Sequence, residues 1–209
     1  MRAAEALFVE HGFADTSLRM ITAGAKVNLA AVNYHFGSKE ALIREVFQRH
    51  LEPLNAARIA WLDRLEAQGQ PLSVERIVEA IVSPVLQVSR DPMQGGARFL
   101  RLLGRALSEG TDALQGILPE HYREVVMRFK AALVRALPAV PEAEIVWRMH
   151  FMFGAMAYAF AGNDTMQLIA TCKVEGADDA EAVIRHLVPF LTAGLQATPG
   201  AAAQLAAAA

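Results

Sequence analysis

The feature that most constrains the fold is a series of three short helical segments near the N-terminus. The first spans about residues 2–11, where apolar side chains recur at helical spacing. The second begins after an N-cap supplied by Thr16 or Ser17 and lasts about two turns. The third begins at Asn28, another good N-cap residue, and runs to about His35. Two such short helices joined by a tight turn have the spacing of a helix-turn-helix, whose second helix enters the major groove of DNA.

The remainder of the chain is also predicted to be helical, because alternating β-branched runs bounded by Asn-Gly or Asp-Gly turns do not occur. A long fourth helix is predicted from Lys39 past Pro53 to about Leu65, and the polar stretch 68–71 is a predicted linker. Further helices are predicted over 73–89 with a kink at Pro84, 95–109, 112–137 with a break at Pro119, 142–162 and 179–197. The Ala-rich tail 199–209 lacks periodicity and is expected to be disordered. The sequence therefore predicts an all-α fold.

Composition narrows the class of protein. A hydrophobic share of 54% with 20% charged residues excludes a disordered or fibrous chain, and it predicts extra buried surface in an oligomer interface or a ligand cavity. The single cysteine, Cys172, excludes an intramolecular disulfide and fits a reducing compartment. No secretory signal is visible, so we expect a cytoplasmic protein without a membrane partner. The longest apolar stretches are interrupted by Arg98, Arg101, Arg148 and His150.

Catalytic and metal-binding patterns do not occur in the sequence. The six histidines never stand three or four residues apart, so no helical metal-ligand pair exists. There is no phosphate-cradling glycine loop and no Gly-x-Ser-x-Gly nucleophile elbow. Cys172 has Lys173 as its only basic neighbour in sequence and is expected to be an inert thiol. We therefore expect a protein that is not an enzyme and that uses no metal and no cofactor.

A continuous motif in and after the third helix is more specific. Residues 32–42 read Val-Asn-Tyr-His-Phe-Gly-Ser-Lys-Glu-Ala-Leu, and Gly12-Phe13 and Thr16-Ser17 precede them. This pattern resembles the DNA-binding domain of the TetR family of bacterial repressors. The resemblance implies an N-terminal DNA-binding domain at 1–48 and a helical ligand-binding and dimerisation domain at 49–198. It also implies a homodimer that binds double-stranded operator DNA, because two-fold symmetry matches a palindromic operator.

The resemblance assigns roles to side chains of the helix-turn-helix, whose inward-facing core is expected to be Leu18, Ile21, Val27, Val32 and Phe36. Family positions that contact phosphates are matched by Ser17, Tyr34, His35 and Lys39. Positions that reach base edges are matched by Arg19 and Asn33, which pair well with guanine and adenine. The second helix of the motif is the recognition helix, here called the reading helix, and it begins with Asn28, Leu29, Ala30 and Ala31. Its three apolar residues are expected to contact thymine methyl groups. As alternatives, Tyr34 and His35 pack against the fourth helix, and Arg19 contacts phosphate or solvent.

Departures from the family pattern bear on DNA affinity. The family has further helical turns and a basic arm before the position of Met1, so we expect the first helix to be shortened. Residues 1–50 hold six basic and five acidic residues, and this net charge of +1 predicts a weak basic field. Lys26 stands where the family commonly has a turn glycine, so that turn must tolerate a side chain or shift.

The second domain contains a helix with apolar residues around most of its circumference. Residues 147–158 distribute aromatic and methionine side chains so widely that we expect an interface on one side and a cavity on the other. With residues 28–39 and 99–104, this segment is similar to the fatty-acid-responsive TetR subfamily that controls β-oxidation genes. The resemblance implies a long-chain fatty acid or its acyl-CoA as effector, and an apolar tunnel gains about 0.8 kcal/mol per buried methylene. The candidate ligand-binding residues are Phe99, Arg101, Leu103, Arg148, Met149, His150, Phe153, Met156 and Phe160.

Three of these candidates, Arg101, Arg148 and His150, can carry charge within apolar surroundings. Each needs a partner if it is buried, because an unpaired buried charge is costly. A ligand carboxylate and an internal Asp or Glu are the two alternatives.

The last helix, 179–197, presents a wide apolar face. By resemblance it pairs with helix 142–162 and with their two-fold copies in a four-helix dimer interface. Two alternative functions stay open. One is a TetR-type regulator that binds a different hydrophobic or drug-like ligand, and the other is a dimeric ligand-binding protein that has lost DNA binding.

Overall fold

The computed structural model describes residues 1–90, 96–109, 117–161, 169–170, 174 and 179–198. Its helices are α1 (Arg2–Asp15), α2 (Leu18–Ala25), α3 (Leu29–Phe36), α4 (Lys39–Ala67), α5 (Val74–Val82), α6 (Pro84–Arg90), α7 (Gly96–Glu109), α8 (Ile117–Ala136), α9 (Glu142–Ala161) and α10 (Ala180–Gln196). No strand occurs among these residues, and the predicted all-α fold is confirmed. The predictions for Cys172 and for the tail 199–209 lie outside the described residues.

Prolines affect the helices according to their position. Pro84 occupies the first position of α6, where its missing N–H costs nothing, so the predicted kink is a true boundary between α5 and α6. Pro53 lies inside α4, which continues through it as predicted. The break predicted at Pro119 does not occur. It lies in the first turn of α8, where the backbone N–H groups have no partner within the helix.

An aromatic core holds the N-terminal head together. The rings of Phe8 and Phe13 on α1 have centroids 5.3 Å apart, and Phe13 lies 6.0 Å from Phe47 of α4. Gly12 has a φ of 83°, a conformation that favours glycine, and it interrupts the helical path of α1. The buried Thr16 hydroxyl then donates a hydrogen bond to the Gly12 carbonyl at 2.7 Å. These contacts fix the point at which the chain turns into the helix-turn-helix.

The turn between α2 and α3 keeps a left-handed conformation although no glycine is present. Lys26 has φ 55° and ψ 43°, a region that costs a non-glycine residue about 1–2 kcal/mol. The turn therefore tolerates the lysine side chain, which is exposed. The next residue, Val27, is 48% exposed, so its predicted place in the core is wrong. In this left-handed turn the Val27 N–H donates a hydrogen bond to the Thr22 carbonyl, and the Val27 side chain stays at the surface.

The long helix α4 joins the head to the second domain. Its N-terminal half buries Leu42, Ile43 and Val46 in the head, and its C-terminal half packs against α5, α6 and α8. In the second domain α9 packs against α7, and α10 packs against α5 and α9. Helix α7 also packs directly on α1, so two helices connect the domains. Of the described helices, none has the length and apolar character needed to cross a membrane.

Candidate DNA interface and effector cavity

The reading helix α3 is capped and anchored in a way that exposes its polar face. The Asn28 side-chain oxygen accepts a hydrogen bond from the Ala30 N–H at 2.9 Å, and Val32 is the buried anchor. Asn33, Tyr34 and His35 are exposed, with Tyr34 at 88%. The structure therefore places these three side chains at the surface, not in a packed contact with α4.

The remaining predicted DNA contacts surround this face. Ser17 caps α2, and its hydroxyl accepts a hydrogen bond from the Met20 N–H at 3.2 Å. Arg19 is exposed on the first turn of α2. Ala30 and Ala31 are exposed, whereas Leu29 is half-buried. A surface of small residues beside one amide side chain allows close approach to base edges.

Lys39 has a structural contact that the sequence did not reveal. Its ammonium nitrogen donates to the carbonyl oxygens of Phe13 at 2.9 Å and Ala14 at 3.2 Å. These carbonyls lie at the C-terminal end of α1, beyond the interruption at Gly12, and the lysine charge is favourable beside two carbonyl dipoles. Lys39 thus ties the start of α4 to the end of α1, and its phosphate contact stays a prediction that would use the third N–H of the ammonium group.

A cavity of about 260 Å³ lies in the second domain between five helices. Its wall is apolar except for two side chains on facing helices, Arg58 of α4 and Tyr122 of α8. The other lining residues are Val85, Leu103, Gly104, Val126, Phe153, Met156, Ala157 and Phe160. Such a chamber, with few polar groups in an apolar wall, has the character of a small-molecule site.

Four of the nine predicted ligand-binding residues line this cavity: Leu103, Phe153, Met156 and Phe160. Phe99 and Met149 are buried elsewhere in the core. Phe99 packs against His50 of α4, with ring centroids 4.4 Å apart.

The three predicted charged candidates lie outside the cavity lining. Arg148 is buried, and its guanidinium donates to Glu144 at 3.0 Å and to the Leu195 carbonyl at 2.6 Å. Its partner is therefore an internal glutamate, and the residue ties α9 to the end of α10. Arg101 and His150 are exposed, so neither needs a buried partner.

Arg58 and Tyr122 are cavity residues that sequence reasoning missed. The Arg58 Nε donates to the Ile81 carbonyl at 2.8 Å, and Nη1 donates to the Asn55 side-chain oxygen at 3.1 Å. The guanidinium carbon lies 5.8 Å from the centre of the Tyr122 ring. A signal was present, because Leu54, Arg58 and Leu62 stand four residues apart on the buried face of α4.

A buried acid–base pair joins α1 to α4. Glu5 Oε1 lies 3.0 Å from His50 Nε2, and both side chains are almost fully buried. The hydrogen bond from His50 holds the pKa of Glu5 below its ordinary value of 4.5, against the opposing effect of burial. Helix α7 reaches the same region, since Arg105 donates to the Val9 carbonyl of α1 at 2.7 Å. The head is thus attached to both α4 and α7, which also line the cavity.

An aromatic surface lies on the outer side of α9. Trp147 and Phe151 are exposed, and their rings stack with centroids 5.9 Å apart. Val146 and Tyr158 are also exposed on α9, and Phe190 is exposed on the neighbouring α10. We call these five residues the aromatic face. Exposed apolar surface marks protein interaction sites when it is extensive, and these two packed helices carry five such side chains.

An exposed reading helix on a helix-turn-helix, joined to a second helical domain with an apolar cavity, defines a class of ligand-responsive DNA-binding regulators. The family described as "Bacterial regulatory proteins, tetR family" matches residues 1–46. The family described as "Tetracyclin repressor-like, C-terminal domain" matches residues 79–194. The chain belongs to the TetR family.

Several solved structures have a similar fold. FadR, a fatty acid degradation regulator from Bacillus halodurans, is 19% identical, with 94% of each chain covered and a TM-score of 0.56. Salmonella enterica GusR is 20% identical over 94% of this chain and 93% of that chain, with a TM-score of 0.54. PfmR from Thermus thermophilus, a TetR family transcriptional regulator, is 18% identical over 95% of this chain and 98% of that chain, with a TM-score of 0.54. At these identities the likeness shows a shared fold. No curated protein sequence gives a significant match.

Proposed function

We propose that the protein is a cytoplasmic repressor that binds operator DNA as a homodimer and leaves it when a small apolar effector enters the cavity. The observation that carries this proposal is the position of the cavity between α4 and α7. These are the helices that hold α1 through the contacts of His50 and Arg105. A ligand that shifts either helix therefore moves the head.

The release mechanism follows from the symmetry of the dimer. Two reading helices must match two half-sites on one face of the DNA, so their separation determines operator affinity. An effector shifts the equilibrium only as far as it favours one arrangement of α4 and α7 over the other. A change in the direction of α4 moves α3 through the Lys39 contact with α1 and through the packing of Leu42 in the head. The effector thus acts on half-site spacing, without contacting DNA.

For the effector we propose the fatty-acid class, as the free acid or the acyl-CoA. The sequence resemblance names a long-chain acid, and the apolar wall of the cavity supports an alkyl guest. Methionine at position 156 adapts to an irregular or flexible guest. FadR from Bacillus halodurans, which has a similar fold, is a fatty acid degradation regulator, and this agrees with the class that we propose.

The proposal is tested by selecting bound fragments from a genomic library at low salt, then titrating the selected operator with fatty acids and acyl-CoAs. We expect nanomolar binding of a palindromic fragment and at least tenfold weaker binding at saturating effector, roughly 1.4 kcal/mol. Mass spectrometry of ligands that co-purify with the dimer identifies the natural effector independently. Failure to bind any fragment would instead support a ligand-binding protein without operator activity. A drug-like or aromatic co-purified ligand would contradict the fatty-acid class.

A second prediction concerns the amide of Asn33. Replacing Asn33 with alanine is expected to cost about 1–3 kcal/mol on the cognate operator and much less on a scrambled one. Fluorescence anisotropy on both fragments measures the difference. Tyr34→Phe is the matched control, because it removes one exposed hydroxyl with a predicted phosphate contact and should weaken both fragments equally. Equal losses on both fragments for Asn33→Ala would contradict a base contact.

Lys39→Ala gives a further comparison in the same assay. We expect a uniform loss of affinity on both fragments, together with a lower melting temperature. The second effect arises because the Lys39 ammonium also caps the carbonyls of Phe13 and Ala14. Asn33→Ala removes no such contact, so its melting temperature should match the wild type.

A further inference from the structure

We infer that the cavity recognises an organic acid of about ten non-hydrogen atoms, with Arg58 binding its carboxylate and the apolar wall holding the rest of the molecule. This inference rests on the proposed function, since it names the effector of the same cavity. It differs from that proposal in assigning a head group, a residue and a size.

The charge of Arg58 is the first observation. Its side chain is among the largest that are fully buried, with 2% exposure, and an arginine stays protonated in a protein. None of the ion pairs formed by the described residues includes it. A buried guanidinium without an acidic partner is expensive unless hydrogen bonds and a counter-ion compensate.

The geometry of Arg58 leaves donors for a ligand. Nε and Nη1 each use one donor, on the Ile81 carbonyl and the Asn55 amide oxygen. No acceptor among the described residues meets Nη2. The Tyr122 ring, 5.8 Å from the guanidinium carbon, borders the group on another side. These contacts hold the guanidinium in the cavity wall, where it exposes little polar surface and leaves Nη2 for a ligand. A carboxylate is the acceptor that matches its geometry.

The rest of the wall determines the body of the ligand. Across the cavity from α4, helix α9 contributes Phe153, Met156, Ala157 and Phe160, none of which offers a side-chain hydrogen bond donor. A sugar, nucleotide or amino acid would lose several hydrogen bonds to water there. An alkyl or aryl body with one acidic end loses hydrogen bonds to water only at the acid, and Arg58 replaces these. The wall therefore excludes polar metabolites and selects amphiphilic acids.

The volume indicates the size of the whole acid. A cavity of about 150 Å³ is known to hold benzene, which has six non-hydrogen atoms. In proportion, the 260 Å³ of this cavity hold about ten such atoms. Octanoate has that number, whereas palmitate has nearly twice as many. Within the fatty-acid class, a medium-chain acid thus matches the volume of this cavity, whereas the long-chain acid that the sequence resemblance implies would have to extend through its open side.

The test is calorimetric titration of the full-length protein with octanoate and with octanamide, its neutral isostere. We expect octanoate to bind roughly 10- to 100-fold more tightly, because a hydrogen bond to a charged partner is the stronger one. Arg58→Gln should abolish this preference by weakening octanoate while leaving octanamide nearly unchanged. Arg123→Gln is the matched control, since Arg123 is exposed on α8 and does not line the cavity.

Each outcome has a defined meaning. Equal affinity of the acid and the amide for the wild type, a comparison that needs no variant, overturns the carboxylate site while the apolar-effector proposal stands. If palmitate binds more tightly than octanoate, the assigned size is wrong. If octanoyl-CoA binds more tightly than octanoate, the assignment of a free acid is wrong. Octanoate that binds through Arg58 but leaves operator affinity unchanged supports the site and contradicts the proposed release mechanism.

Discussion

Phe151→Glu is expected to convert the protein to a monomer and to abolish tight operator binding. Phe151 is 64% exposed in the middle of the aromatic face and stacks on Trp147. We propose that this face, on α9 and α10, is the dimer interface. A buried glutamate without a partner on an apolar surface is strongly unfavourable, and the wild-type aromatic contact is lost as well.

The size of the effect follows from symmetry. In a two-fold interface the substitution occurs twice, and an aromatic residue at the centre of an interface is worth about 2 kcal/mol or more. The expected loss is thus about 4 kcal/mol, or a dimer dissociation constant roughly 1,000-fold higher. At micromolar protein the variant should be monomeric, and a monomer contacts only one half-site. Operator affinity should fall to the level of non-specific DNA binding.

Sedimentation velocity and fluorescence anisotropy measure these two consequences on the same samples. Met127→Glu is the matched control, because Met127 is also an exposed apolar residue but lies on α8, outside the aromatic face. We expect it to remain dimeric with unchanged operator affinity. A dimeric Phe151→Glu protein with wild-type affinity would show that the interface lies elsewhere.

The local features of the head could be predicted from sequence because they depend on near neighbours. Ser17 and Asn28 cap helices within three residues of themselves, and short-range capping follows from residue type. The two faces of α9 could also be predicted, because helical periodicity alone places Phe153 and Met156 on a different side of the helix from Trp147. Their roles in binding stay predictions, but their placement needed no tertiary information.

Contacts between residues far apart in sequence could not be predicted in the same way. Val27 is a separate, local case: it seemed a core residue by type, and the left-handed conformation of the residue before it decided its exposure. Arg58 lies on the buried face of α4, but only the packing of α8 and α9 places it at a cavity. Glu5 and His50 are 45 residues apart, and neither residue suggests a buried partner on its own. Which polar side chains are buried against each other is decided only when the helices pack together.

The Glu5–His50 pair leads to the last prediction: His50→Leu is expected to destabilise the protein by about 3–5 kcal/mol at pH 7. The variant leaves the carboxylate of Glu5 buried without its partner. The double variant Glu5→Leu/His50→Leu removes both polar groups and should recover most of the loss, because no polar group is then left buried without its partner. Urea unfolding of the wild type, of His50→Leu, of Glu5→Leu and of the double variant measures the coupling free energy between the two residues.

The pH dependence of the same variants separates the electrostatic contribution of the Glu5–His50 contact from the contribution of packing. In the wild type the pKa of Glu5 is lowered, chiefly by the hydrogen bond from His50, with Arg49 and the N-terminal ammonium adding to the effect. A lowered pKa contributes stability above pH 4.5 that is lost as the pH falls through the folded-state value. In His50→Leu burial should raise the pKa of Glu5, so that stability instead falls as the pH rises above 4.5. The free-energy difference between the two proteins should therefore widen from acid to neutral pH. A difference that is constant with pH would mean that His50 acts by packing on Phe99, with no electrostatic contribution to the attachment of the head to α4.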